Sequence, residues 1–277
     1  MSPSKRLGRP GLRPPAATNH AGTPAPIALR GLHGQLVESI GMSIAGGAVQ
    51  AGEQIVPELL AEGFHVSRTV VREALKVLET KGMVGARPRT GTRARPQHEW
   101  TLLDPDVIRW RSTGPESARQ LRELLGIRGA IEPLAARNAS EVATPDVLQP
   151  MVVALGSMSR AVEDQDWGAF TDADIAFHRA LLRASGSLVI EQFADPIEAA
   201  LRVRHTLALV PATLSVTTVR AHQAILDEIL LHNGPQAELM SRRIVDAAGA
   251  ETVAALVGRS AHEAPAASSA SEETGRR

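Results

Sequence analysis

"VSRTVVREALKVLETKGMVGARPRTGTRARP", residues 66–96, sets a basic helical pattern directly before a basic turn. Val70, Val71, Ala74, Leu75 and Leu78 recur at three- and four-residue steps, which place them on one face of an α-helix. Arg68, Thr69, Arg72, Glu73 and Lys76 are left for the opposite face. Ser67 stands where an N-cap hydroxyl accepts a backbone N–H of the first turn, and Gly82 stands as a stop. Beyond it, "MVGA" and "TRAR" flank "RPRTG", the pattern of a two-stranded ribbon with a Gly-containing turn.

Upstream, "LHGQLVESIGMSIAGG" spaces Leu32, Leu36, Ile40 and Ile44 at four-residue steps and ends at Gly46-Gly47, one helical stripe. A turn at Ala51-Gly52 and a short helix near Pro57–Glu62 follow. Three short helices and a hairpin in this order predict a winged helix-turn-helix over residues 28–96, a fold that sets its last helix into the major groove of DNA. The candidate DNA contacts are Ser67, Arg68, Thr69, Arg72 and Lys76 on the helix, and Arg87, Arg89, Thr90 and Gly91 on the wing. Arg68, Thr69 and Arg72 read bases, whereas Lys76 and the wing arginines meet phosphate or the minor groove.

Charge supports a polyanionic partner. Residues 1–95 hold 13 Lys/Arg against six Glu and no Asp, a net +7, and the remaining residues carry −7, so the overall zero hides a division. Residues 1–27, rich in Pro, Gly, Ala and Arg, read as a disordered basic arm, and 259–277 as a disordered tail. Among the first 26 residues no apolar run suggests a secretory signal, and no stretch approaches the ~20 apolar residues of a membrane span. Cysteine is absent, which excludes disulfides, thiolate metal sites and a cysteine nucleophile. A cytoplasmic protein without membrane contact is expected.

Residues 97–115 form a linker in which Leu102, Leu103, Val107, Ile108 and Trp110 make an amphipathic clasp expected to pack one domain onto the other. Residues 116–258 show no strand-like alternation. About six helical stretches are separated by breaks at 143–146, 163–167, 184–187, 210–213 and 232–235, which predicts an antiparallel helical bundle and a mainly α protein. Leu121, Leu124, Leu125, Arg128, Ile131 and Leu134 are placed on one side of the first helix, and Ile225, Ile229 and Leu230 on one side of a later one. Asp174 and His178 are four residues apart and share a helix face, and His222 lies in another amphipathic helix. Together they offer three ligands for a divalent metal in the bundle core, or three hydrogen-bonded core groups. Arg128, among apolar neighbours, needs a partner. A metal-dependent hydrolase built on this triad and a nucleoid-type DNA-binding protein without a ligand are the alternatives to a ligand-responsive regulator. The hydrolase lacks a clear general base and leaves the basic half unexplained.

The Ser-Arg pair, Val-Arg-Glu-Ala-Leu, the Leu-Glu-x-x-Gly step and the Arg-x-Gly-Thr wing resemble the DNA-binding signature of the GntR family of bacterial transcription regulators, over about residues 32–96. Family members carry an Arg within a Pro-Ser-Glu-Arg stretch in the preceding helix. Here "IVPELLAEGF" is a residue shorter and acidic, so that phosphate contact is absent and the basic arm compensates. Residues 117–256 resemble the all-helical effector-binding (FCD) domain of the family's FadR-like branch, and "WTLLDPDVIRW" resembles the corresponding segment of regulators that answer to sugar acids. The resemblance implies a homodimer on double-stranded operator DNA, repression, and a small carboxylate effector such as a sugar acid. It also implies a divalent metal, zinc or nickel, on Asp174, His178, His222 and a further His in the last helix. That His falls at or next to Arg243, and a guanidinium cannot ligate a metal. The site is therefore expected to capture the acid directly, with Arg128 and Arg243 as donor forks beside Asp174, His178 and His222.

Overall fold

The computed structural model describes residues 31–87 and 91–263. The arm at 1–27, wing residues Arg89 and Thr90, the side chain of Arg87 and most of the 259–277 tail lie outside the described residues. By contacts the described chain divides into two units, residues 31–124 with 192–203, and residues 125–191 with 204–263.

The first unit contains a winged helix-turn-helix. Helices α1 (Leu32–Ala45), α2 (Pro57–Gly63) and α3 (Arg68–Thr80) meet a three-stranded sheet of β1 (Gln54–Ile55), β2 (Val84–Arg87) and β3 (Gly91–Ala94), in the order β1-β3-β2. The ribbon pairs Val84 with Ala94 and Arg87 with Gly91. The short β1 is an addition to the expected hairpin: Gln54 pairs with Arg93 and Ile55 with Thr92. Gly91 has φ +77°, the left-handed backbone that a turn into β3 requires and that glycine adopts without strain. Leu36, Val37, Ile40, Ile44, Val71, Ala74, Leu78 and Met83 form a core almost sealed from water.

The linker reading changes here. A helix, α4 (Pro105–Arg111), capped by Asp104, packs on α1 and adds Val107 and Trp110 to the winged domain's own core. Lys81 is held by Asp104 and Asp106 at 2.8 and 2.9 Å, Arg109 bridges to Glu38, and Trp110 Nε1 donates to Glu38 at 2.9 Å. Leu103, expected in the clasp, is 40% exposed. A Cβ added at Gly41 would lie 2.6–2.7 Å from three atoms of the Trp110 ring. Gly41→Ala is therefore expected to destabilise this unit by about 1–3 kcal/mol despite the better helix propensity of Ala. Chemical unfolding followed by tryptophan fluorescence checks this, and a parent-like midpoint would contradict the close packing.

In the second part of the chain, α5 (Ser117–Val142), α6 (Pro145–Glu163), α7 (Trp167–Ala184), the single turn α8 (Leu188–Glu191), α9 (Ala194–Thr206), α10 (Val216–Leu230) and α11 (Gly234–Glu263) follow one another, broken where the sequence predicts. α6 and α7 pack along their lengths, as do α10 and α11. Contacts of Gly129 with Arg242, Arg137 with Glu238 and Ser140 with Gly234 run α5 antiparallel to α11. The buried stripe of α5 departs from the expected one. It runs through Leu121, Leu124, Arg128, Glu132, Ala135, Ala136 and Ala139, while Leu134 is 45% exposed and Ile131 only half-buried. Four residues past Arg128 the helix turns about 400°, which returns to the same face at Glu132, whereas Leu134 points away. Leu230, placed on the apolar side of α10, is 52% exposed. Among the described residues no helix is long and apolar enough to cross a membrane.

Candidate functional site: a basic recognition helix and a buried carboxylate–imidazole cluster

On α3 the expected cap and buried stripe are present, with Val70 half-buried rather than buried. Ser67 Oγ accepts the Val70 N–H at 3.3 Å, and Val71, Ala74, Leu75 and Leu78 are buried. Arg68, Thr69, Arg72 and Lys76 are exposed on the opposite face. Lys76 is bound to Glu73 at 2.8 Å, and Arg68 lies 3.9 Å from Glu58 of α2. Both are exposed pairs that yield to a polyanion at little cost. Arg93 and Arg95 of the ribbon are engaged within the domain: Arg93 donates to the Gly52 carbonyl at 2.8 Å and Arg95 bridges to Glu99.

The second constellation lies wholly within the helical unit. Asp174 and His178 stand one turn apart on α7, and His222 reaches them from α10. His222 Nε2 is 3.0 Å from Asp174 Oδ1, His178 Nε2 is 3.5 Å from the same oxygen, and the two Nε2 atoms are 3.4 Å apart. His178 and His222 are 1% and 2% exposed; the Asp174 side chain, at 14%, is where the cluster meets solvent. Phe177 packs edge-on against both imidazoles.

Sequence reasoning missed Glu132, the partner Arg128 needs. Glu132 Oε1 accepts Arg128 Nε at 2.6 Å, and its Oε2 lies 2.9 Å from His178 Nδ1, an ion-pair contact not aligned as a hydrogen bond. The available signal was the i, i+4 spacing of Arg128 and Glu132, which places opposite charges on one helical face. Burial alone would push the Glu132 carboxyl up, but the Arg128 and His178 charges outweigh it and hold it at about 2. Burial would likewise lower His178; Glu132 and Asp174 reverse this and raise it to about 9. Asp174 is held well below its ordinary range against its own burial, by His178 and then His222.

Arg243 does not join the cluster. It is exposed on α11, whose inward positions are Ala237, Ser241, Val245 and Ala248. Two residues from Ser241 is about 200° around the helix, which turns Arg243 outward. Arg128 is not a vacant fork either, since Glu132 occupies its Nε edge. The expected capture of an acid between Arg128 and Arg243 thus has no geometric basis.

A divalent cation fits the three remaining groups. His222 Nδ1 lies 2.8 Å from the Thr218 carbonyl, which takes its proton and leaves the Nε2 lone pair facing Asp174 and His178. Such an arrangement of two lone pairs and a carboxylate is repulsive without a proton or cation between them. A tetrahedral ion with 2.0–2.1 Å bonds separates its ligands by roughly 3.4 Å, close to the observed 3.0, 3.4 and 3.5 Å. Among the described residues α11 supplies no imidazole at its inward positions, and the group that could hold a metal is Asp174, His178 and His222.

Two family models match the chain: one described as bacterial regulatory proteins, gntR family, at residues 32–93, and the FCD domain at 123–247. The chain is 32% identical over 203 residues to the HTH-type transcriptional regulator YieP of Escherichia coli K12, covering 73% of this chain and 87% of that protein. The chain belongs to the GntR family. It is also 29% identical over 206 residues to the galactonate operon transcriptional repressor of the same organism, covering 74% and 89% of the two chains. Among solved structures, one titled as Lar, which controls expression of the Listeria monocytogenes agr system, aligns with a TM-score of 0.56 at 16% identity, over 81% of this chain and 98% of that one; it supports the fold alone. This is a GntR-type transcription regulator with an FCD domain.

Proposed function

We propose that the protein is a cytoplasmic, homodimeric repressor of an operon for the catabolism of a sugar acid or related carboxylate, released from its operator when that acid binds the helical domain. The observation that carries the reading is the buried triangle of Asp174, His178 and His222, backed by the Arg128–Glu132 pair. Arg128 and Glu132 cancel, and with neutral imidazoles Asp174 leaves one negative charge. Zn²⁺ or Ni²⁺ held by Asp174, His178 and His222 would turn this to one positive charge and offer positions to a carboxylate oxygen. Asp174, the partly exposed member, marks where the anion enters. Similarity to the galactonate operon repressor favours a polyhydroxy acid. A hydrolase is disfavoured by Glu132 itself: a carboxyl held at about 2 and ion-paired to Arg128 is a poor general base. Thermal-shift screening of the protein against a panel of sugar acids, with and without Zn²⁺ or Ni²⁺, tests the reading. An acid that raises the melting temperature and dissociates operator DNA supports it, and a flat response across the panel opposes it.

DNA recognition rests on α3. Arg72→Ala is expected to weaken operator binding by about 1–3 kcal/mol and to relax sequence preference, as loss of a base contact does. Lys76→Ala should weaken specific and random DNA alike and reduce the salt dependence. Footprints of both variants identical to the parent's would remove α3 from the groove.

A further inference from the structure

Between α5 and α11, on the outward side of the helical unit, runs a furrow of about 570 Å³. Gly126, Gly129 and Ala130 line it on α5, and Val245 and Gly249 on α11. A Cβ added at Gly126 or Gly249 would meet no atom within 4 Å, so the chain itself leaves this space open. Glycine weakens a helix, and packing within the described residues does not require it at either position. One turn beyond the furrow stand Leu134 on α5 and Leu239 on α11, 45% and 37% exposed. At its rim Arg242 donates to the Gly129 carbonyl at 3.2 Å, while the exposed Asp246 has no ion-pair partner among the described residues.

These residues are complementary to themselves. On α11, Leu239, Arg242, Asp246 and Gly249 follow steps of three, four and three residues and share a face. Laid antiparallel on a second copy with the midpoint at residue 244, this face sets Arg242 opposite Asp246 of the copy and Leu239 opposite its Gly249. On α5, Gly126, Ala130 and Leu134 share a face at four-residue steps, and a midpoint at Ala130 sets Leu134 opposite Gly126 of the copy. The two midpoints lie at one level. A Cβ added at Gly129 would lie 3.8 Å from Val245 on the antiparallel α11, which stands Ala130 beside residue 244. One two-fold axis at that level therefore gives each leucine a glycine and each Arg242 an aspartate.

We propose that this face is the two-fold interface of the homodimer, with a second copy of the chain packed antiparallel, α5 on α5 and α11 on α11. A two-fold interface presents the same patch twice, so it has to be complementary to itself in shape and charge. The glycines let the helices approach, the leucines fill the space left open, and Asp246 gains the cation it lacks. The inference rests on the reading of the protein as a homodimer and names the surface that joins the two chains.

The test uses the full-length protein, which has no cysteine of its own, so an introduced one is the only thiol. Ala130 lies on the axis and faces its own copy, within the roughly 4–7 Å between Cα atoms that a disulfide spans. Ala130→Cys is thus expected to give a covalent dimer under mild oxidation. Leu188→Cys, 80% exposed on α8, serves as the control and should not. Sedimentation equilibrium gives the second readout. Gly126→Trp sets a ring in space that is open in one chain and filled in the dimer, so it should weaken dimerisation about tenfold or more while the helical circular dichroism stays that of the parent. Asp246→Arg should weaken it about tenfold, because the symmetry counts each like-charge contact twice, and adding Arg242→Asp should restore it. In a dimeric parent, an Ala130→Cys chain that does not cross-link, or a Gly126→Trp chain that dimerises like the parent, overturns this face and leaves the homodimer standing. A monomeric parent removes both.

Discussion

Asp174→Ala is expected to weaken Zn²⁺ or Ni²⁺ binding by about 100-fold or more and to abolish effector-driven release from operator DNA. Asp174 Oδ1 is the oxygen that both imidazoles face, at 3.0 and 3.5 Å, and the one negative charge in the triangle. Its loss leaves two neutral nitrogens beside the Arg128 guanidinium, 3.4 Å from His178 Nε2, which opposes any cation. A hundredfold loss corresponds to about 2.7 kcal/mol, modest for a carboxylate at so buried a position. Operator affinity without effector should stay within about threefold of the parent, because α3 and its supporting core belong to the other unit. Zn²⁺ calorimetry and operator-release assays on parent and variant give the answer. A variant that takes up Zn²⁺ with parent affinity would remove Asp174 from the ligand set.

How far the sequence carried depended on how local the cause was. α3 was legible because everything that makes it is within its own turns: a capping Ser67, a buried stripe and a basic face. The breaks between bundle helices were legible for the same reason, since Pro, Gly and Asp-rich turns announce themselves locally. β1 was not, because two residues have no period, and Gln54 and Ile55 become a strand only through pairing with Arg93 and Thr92. The linker was half-legible. Its apolar positions were evident, but the place of Trp110 against Gly41, some 70 positions earlier, was not. Asp174, His178 and His222 were singled out by spacing, and the bundle does bring them together. Glu132 was passed over because the apolar stripe was drawn through Ile131 and Leu134, a small error in helical angle that hid the partner of Arg128. Arg243 failed for the same geometric reason: position along a helix does not fix a face until its packing neighbours do.

Metal removal should reverse the sign of the pH dependence of stability in the helical domain. In the metal-free protein His178 has its folded-state value raised to about 9, above the ordinary 6.5. A group raised in this way contributes stability that is fully present below about 6.5 and is lost as pH rises through 9. Glu132, lowered to about 2 from 4.5, has the opposite sense: its contribution is present above 4.5 and is lost as pH falls towards 2. Chelated protein is thus expected to be most stable near pH 5–6.5 and to lose on the order of 1–3 kcal/mol between pH 6 and pH 9.5 through His178. With Zn²⁺ in fixed excess the direction inverts over pH 6 to 8. The cation requires His178 Nε2 as a lone pair and must displace its proton, so affinity should climb by up to about tenfold per pH unit, and stability with it. Melting curves at pH 6, 7, 8 and 9.5, with chelator and with Zn²⁺, separate the two slopes. Parallel curves in both conditions would mean that proton and cation do not compete for His178, and the cluster would then be a hydrogen-bonded core rather than a metal site.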